Sequence, residues 1–290
     1  MVKLGLFGIN MGGLADPESM ARVAVAAEEA GFESVWTGEH LVAASPRTPP
    51  SPVRPDTHFV DQVASLSFLA AHTTTLRLGT GIVILPQRSP VVLAKELASL
   101  DVLSHGRLEF GIGVGYVPVE FEAVSVPFEE RGARTDEHLD ALRALWRGDL
   151  EFEGRFTAWH GAEAHPRPVQ PNGPPVHVGG GSAATWRRAV TKGNGWYGFA
   201  VTPDFVEKAL AALAQAAEVH ERPTGLGDLQ VSVSPIEPVD RDLCRRYESL
   251  GVDRIIVVQD FRAMSGGPDP GAADQAIAGL EALAAELDLS

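Results

Sequence analysis

The residues best suited by type to do chemistry are Glu39 and His40, adjacent at the end of the stretch ESVWTGEH (residues 33–40). A carboxylate and an imidazole are side chains commonly used to take up and return protons near neutral pH. Val35 and Trp36, just before them, are apolar and favour a strand. A buried strand ending in a Glu–His pair puts acid–base groups at the mouth of a sheet, where ligands bind in parallel α/β proteins. Alone, the two residues read first as polar loop members past a strand. The rest of the chain changes that reading.

Three further clusters sit at strand ends. Thr80-Gly81-Ile82 interrupts the apolar run LRLGTGIVIL (residues 76–85). Glycine inside such a run marks a bulge, a close approach of a ligand to the backbone, or tight packing of a helix. Gly111, Gly113 and Gly115 alternate just before Tyr116, so one face of that strand lacks side chains and a flat ring could lie against it. VHVGGGSAATWRRAVTK (residues 176–192) passes from a strand through Gly179, Gly180, Gly181 and Ser182 into a helix. The free N–H groups and positive dipole end of that helix suit a phosphate. Arg187, Arg188 and Lys192 follow, a cationic cluster in a chain of net charge −14. The loop is not a phosphate-binding GxxxxGKS/T, nor does it follow the first strand as a dinucleotide fingerprint does. The nine histidines are scattered, with no HExxH, and no metal site is expected.

These clusters need elements to hold them. Strands are expected at residues 3–9, 33–38, 76–85, 108–114, 176–179, 195–199, 230–236 and 254–259. Helices are expected between them: after Asp16-Pro17 to Gly31, then at 59–71, from Ser89-Pro90 to Gly106, in the long segment ending at Gly148, and at 182–192, 203–220, 240–250 and 272–287. Eight alternating units with no break in composition predict one α/β domain over residues 1–290, a single (β/α)8 TIM barrel. An open doubly wound sheet is the runner-up. Two segments stand outside the repeat. Residues 41–58 hold five prolines and no period, and form an insertion after strand two read as a lid or pocket wall. Residues 151–159 alternate around a Gly and predict a small hairpin before strand five.

At 290 residues and 44% hydrophobic content the chain can bury a full barrel core, which takes about 250 residues. The one cysteine, Cys244, forms no disulfide within the chain, which suits a reducing, cytoplasmic setting. No apolar run approaches the roughly 18 residues of a membrane span, and the N-terminus does not read as a signal peptide. The acidic balance disfavours nucleic-acid and anionic-membrane partners. An anionic ligand would need a local positive pocket.

The stretches AEEAGFESVWTGEHL, LRLGTGIVILPQRSPVVLAKELASLD, GRLEFGIGVGY, PFEERGARTDEHLDALRALW and PVQPNGPPVHVGGGS together resemble the bacterial luciferase-like superfamily, most closely its actinobacterial branch that uses coenzyme F420. They run with gaps from about Ala27 to Ser182, and the last third matches only as generic barrel units. The resemblance implies a barrel with the deazaflavin ring at its C-terminal mouth, a cis peptide at Gly81–Ile82 behind the ring, and the cofactor's phosphate on Gly179–Ser182. Gly113 and Gly115 belong to the same ring site. His40 matches the active-site His of the deazaflavin-dependent sugar-phosphate dehydrogenases, and Glu39 stands where they carry Asp. Those enzymes have a catalytic Glu where this chain has Tyr116, so the acid role does not carry over, although Tyr116 retains a hydroxyl to donate. The expected activity is hydride transfer between F420 and a small organic substrate, with His40 exchanging a proton and Glu39 orienting it. An FMN-dependent monooxygenase using reduced flavin and O2 is the alternative, and a non-catalytic flavin-binding barrel another. A homodimer is an open expectation.

Overall fold

The computed structural model describes residues 2–258 and 265–289. The chain opens with β1 (Lys3–Phe7) and α1 (Pro17–Glu29). Asp16 caps α1 by accepting the Ser19 N–H at 3.0 Å, and Pro17 presets its first turn. β2 (Ser34–Thr37) then leads through residues 41–58, which hold no helix or strand, to α2 (Gln62–Ala70). This helix begins later than the sequence suggests. Phe59 pairs with Met11 in an isolated bridge, and Asp61 caps the helix through the Val63 and Ala64 N–H groups. The expected third strand is split into β3 (Arg77–Thr80) and β4 (Val83–Ile84), with a cis peptide at Gly81–Ile82 between them.

α3 (Pro90–Leu103) buries Leu93, Leu97 and Leu100. β5 (Leu108–Gly113), the short α4 (Pro118–Ala123) and the long α5 (Arg131–Arg147) follow, and α5 stops at Gly148 in the left-handed region. β6 (Glu151–Glu153) and β7 (Ala158–His160) form the antiparallel hairpin outside the main sheet. The repeat resumes with β8 (Val176–Gly179), α6 (Ala183–Lys192), β9 (Gly195–Val201), α7 (Pro203–Val219), β10 (Gln230–Pro235), α8 (Arg241–Ser249), β11 (Arg254–Val258) and α9 (Pro270–Leu287). Gln259, the last residue of the expected eighth strand, lies outside the described residues.

The main sheet is parallel throughout, in the order β3-β2-β1-β11-β10-β9-β8-β5-β4, and the β3–β5 pairing closes it. Counting β3 and β4 as one interrupted strand gives the eight-stranded (β/α) barrel, and closure rules out the open doubly wound sheet. Most apolar burial lies between strands and outer helices, where Leu4, Leu6, Val35, Leu78, Phe110 and Val178 meet the helix stripes.

Inside the barrel a second cluster forms from Phe7, Met11, Trp36, Tyr197 and Ile256. Trp36 fits because Gly79 opposes it: a Cβ at Gly79 would stand 2.3 Å from the indole. Below Trp36 is a buried polar network. Glu109 binds His177 (2.5 Å) and Arg77, with Arg254 at 3.8 Å, and Arg254 also pairs with Glu33 at 2.8 Å. His177, near the mouth by sequence order, is therefore fully buried inside the barrel, with Trp36 edge-on to its ring.

Candidate active site

The cis bond at Gly81–Ile82 turns the third strand into a bulge at the mouth, and polar groups of four residues hold it. Gly81 N–H donates to Thr37 O at 2.9 Å. Gln62 Nε2 donates to Ile82 O at 3.2 Å. Ile84 N–H donates to a Glu39 carboxylate oxygen at 2.5 Å, and Arg88 donates Nε–H to the other at 2.9 Å. Arg88 also reaches Asp61 at 2.9 Å, which ties the bulge to the start of α2. Burial pushes the Glu39 pKa up, and Arg88 and the Ile84 N–H oppose that push.

The alternating glycines of β5 serve this bulge. A Cβ at Gly113 would lie 2.2 Å from Ile82 Cδ1, one at Gly179 would lie 2.7 Å from the same atom, and one at Gly111 would strike the Thr80 carbonyl at 2.0 Å. The bare face expected to receive a flat ring is thus filled by Ile82, and Gly115 similarly faces Ile84 and Phe121. Gly81 and Ile82 themselves remain partly exposed, so a ring at this position would rest on the bulge rather than on the glycines.

Glu39 does not touch His40. The imidazole Nδ1 lies 2.5 Å from Glu120 Oε1, and Gln87 Nε2 donates to Glu120 Oε2 at 3.2 Å. The ring packs edge-on to Phe59 at 5.3 Å between centroids. The His40 side chain is 15% exposed and that of Glu120 2%. A cavity of about 150 Å³ borders His40, lined also by Leu41, Phe59, Gln62 and Arg88. A larger one, about 220 Å³, opens at the opposite end of the barrel beside Lys3 and Arg254, away from every strand C-terminus.

Glu120 and Gln87 were missed in the sequence. One signal for Glu120 exists: Val117, Glu120 and Phe121 are spaced i, i+3, i+4, and all are buried, which puts a carboxylate on an apolar helix stripe. Nothing local marks Gln87. Tyr116 stands at the rim, 53% exposed, and partial burial followed by the nearby Glu120 charge raises its hydroxyl pKa. Phe199, Phe205 and Ile236 add exposed apolar surface at other strand ends. His58 is also exposed.

At the β8–α6 junction Gly180 has φ 121°, open to glycine and strained for other residues. Its carbonyl accepts the Trp196 indole N–H at 2.8 Å. Because the peptide is planar and trans, the Gly181 N–H points to the opposite side, away from that indole. Ser182 caps α6 in a reciprocal box with Thr185. The cationic cluster does not join this loop. Arg187 and Arg188 both pair with Asp136 at 2.8 Å, and Lys192 pairs with Asp140, so the cluster stitches α6 to α5. Backbone N–H groups and the helix dipole are what the loop offers an anion.

Among the described residues no cluster could hold a metal ion, and no helix is long and apolar enough to cross a membrane. Residues 6–242 match the family model of the luciferase-like monooxygenases. An uncharacterised protein of Mycobacterium tuberculosis is 31% identical over 285 residues, 93% of each chain. An F420-dependent glucose-6-phosphate dehydrogenase of Kineococcus radiotolerans is 32% identical over 228 residues, 75% of this chain and 63% of that protein. The crystal structure of the monooxygenase RslO1 from Streptomyces bottropensis superimposes with a TM-score of 0.75 at 24% identity, covering 99% of this chain and 98% of that one.

Proposed function

This chain belongs to the luciferase-like monooxygenase family, and from that premise we propose that it moves a hydride between the deazaflavin coenzyme F420 and a small organic substrate. The observation that carries the reading is the placement of His40. It stands at the mouth on the same barrel face as the Gly81–Ile82 bulge and the Gly180–Ser182 loop, with its ring held by Glu120 and the residue bordering a cavity. The F420-dependent relative from Kineococcus supports the choice of cofactor.

The residues present fit such a group. Gly180 leaves bare a position that another side chain would occupy only under strain, and the outward Gly181 N–H with the first turn of α6 suits the cofactor's phosphate. Gly81 and Ile82 would back the ring. When bound, the deazaflavin supplies the carbon that gives or takes the hydride. His40 takes a proton from the substrate oxygen in the oxidative direction and returns it in the reductive one. Glu39 contributes by pinning Ile84, and so the bulge, in place. Tyr116 keeps its hydroxyl protonated at neutral pH and can donate to a substrate oxygen.

One observation favours a second reading. A loop offering only backbone N–H groups and a serine suits the terminal phosphate of FMN equally well, which would make the chain a flavin-dependent monooxygenase. Spectral titration separates the two. Saturable perturbation of oxidised F420 absorbance, with little or none for FMN, is expected. Saturable binding of FMN alone would overturn the proposal.

A further inference from the structure

We infer that Glu120 is the positioning residue that fixes the tautomer of His40, holding the proton on Nδ1 so that Nε2 carries the lone pair that exchanges the proton. The inference rests on the reading of His40 as the proton-exchanging group.

Three strand ends build the arrangement. His40 follows β2, Gln87 follows β4, and Glu120 sits in the first turn of α4 after β5. A carboxylate only accepts, so a neutral imidazole beside one carries its proton on the nitrogen that faces it. Here that nitrogen is Nδ1, 2.5 Å from Glu120 Oε1. The second carboxylate oxygen is occupied by the Gln87 amide at 3.2 Å, so Glu120 cannot easily swing away. Phe59 blocks one edge of the ring. Among the described residues no hydrogen bond is made to Nε2. An imidazole free in water distributes its proton between both nitrogens, and the Nε2–H tautomer could not accept at Nε2. Glu120 removes that tautomer.

The proton balance follows. As the substrate O–H bond breaks, an N–H bond forms at Nε2, and the imidazolium charge is matched by the Glu120 carboxylate while Nδ1–H stays between them. The return step reverses both bonds. A carboxylate that orients a catalytic imidazole in this way in another enzyme class costs about 10⁴-fold in kcat when neutralised, because the wrong tautomer forms.

The test reads the tautomer directly. The intact protein, labelled with ¹⁵N-histidine and free of cofactor, is examined by two-bond ¹H–¹⁵N correlation, with the His40 signal assigned by its loss in His40→Gln. The wild type is expected to carry the proton on Nδ1, and in Glu120→Ala the proton is expected to move to Nε2 or to average between the two nitrogens. With cofactor and substrate, kcat of Glu120→Ala should fall about 10²-fold or more while cofactor affinity holds. Glu120→Gln, whose amide oxygen would accept from Gln87 and whose NH2 would donate to Nδ1, should place the proton on Nε2 and lower kcat as Glu120→Ala does. A proton on Nε2 in the wild type, or an unchanged tautomer in folded Glu120→Ala, would overturn the inference. The wild-type spectrum decides even if the variant does not fold. A correct tautomer together with a fully active His40→Ala would instead overturn the proton-exchange role and leave the Glu120–His40 contact standing.

Discussion

Replacing Glu109 by Gln tests the buried network that supports the barrel from within. Burial alone would raise the Glu109 pKa, but the His177 hydrogen bond and the His177, Arg254 and Arg77 charges outweigh it and hold the carboxyl down at about 2, against an ordinary 4.5. A depressed carboxyl pKa adds stability that is complete above the unfolded value and is lost as pH falls through the folded one. The window therefore runs from about pH 4.5 down to pH 2. Its full size is about 3 kcal/mol at neutral pH, of which about 2 should be gone by pH 3. Other carboxylates titrate in the same range, so the useful quantity is the difference between wild type and Glu109→Gln in urea unfolding. It should be about 3 kcal/mol or somewhat more at pH 7, since the variant also leaves buried cations unpaired, and should shrink to about 1 kcal/mol at pH 3. A difference that stays constant between pH 7 and pH 3 would refute the assignment of this network to an ionised Glu109.

At the anion loop, Gly180→Asp should abolish cofactor binding in a folded protein, while Arg187→Gln should leave the affinity within a few-fold, as titration of both variants would show; the reverse pattern would return the α6 cations to the site. Glu39→Leu strips the Ile84 N–H and Arg88 of their shared acceptor and should cost roughly 3 kcal/mol in unfolding free energy together with weakened cofactor binding. Hydrogen exchange across residues 41–58 should slow when cofactor and substrate are both present, and equal exchange in both states would count against a lid.

The barrel was legible because its signals are local and repeated: strands of apolar residues, Asp-Pro and Ser-Pro helix starts, and glycine stops. Even the hairpin of Phe152 and Trp159 announced itself by alternation. Long-range partners were not legible. Gly111, Gly113 and Gly179 are spaced as if to bare a face, and only distances show that Ile82 fills it. Arg187 and Arg188 are close in sequence to the phosphate loop, yet a helix points its side chains sideways, and Asp136 on α5 claims both. Glu39 precedes His40, but adjacent residues diverge in direction, so Glu39 turns to Arg88 and the imidazole meets Glu120 instead, eighty residues away. His177 shows the same limit. Its strand ends at the mouth, but its own position two residues earlier lies below Trp36.

The central claim is that His40 exchanges the proton that accompanies hydride transfer, and steady-state kinetics with F420 on His40→Ala test it most directly. His58→Ala is the control, since His58 is exposed and ends the 41–58 segment that follows His40. The account predicts that His40→Ala lowers kcat by roughly 10²–10⁴-fold with cofactor affinity little changed, while His58→Ala stays near wild type. Near-normal kcat in His40→Ala, with the loss appearing in His58→Ala, would contradict it.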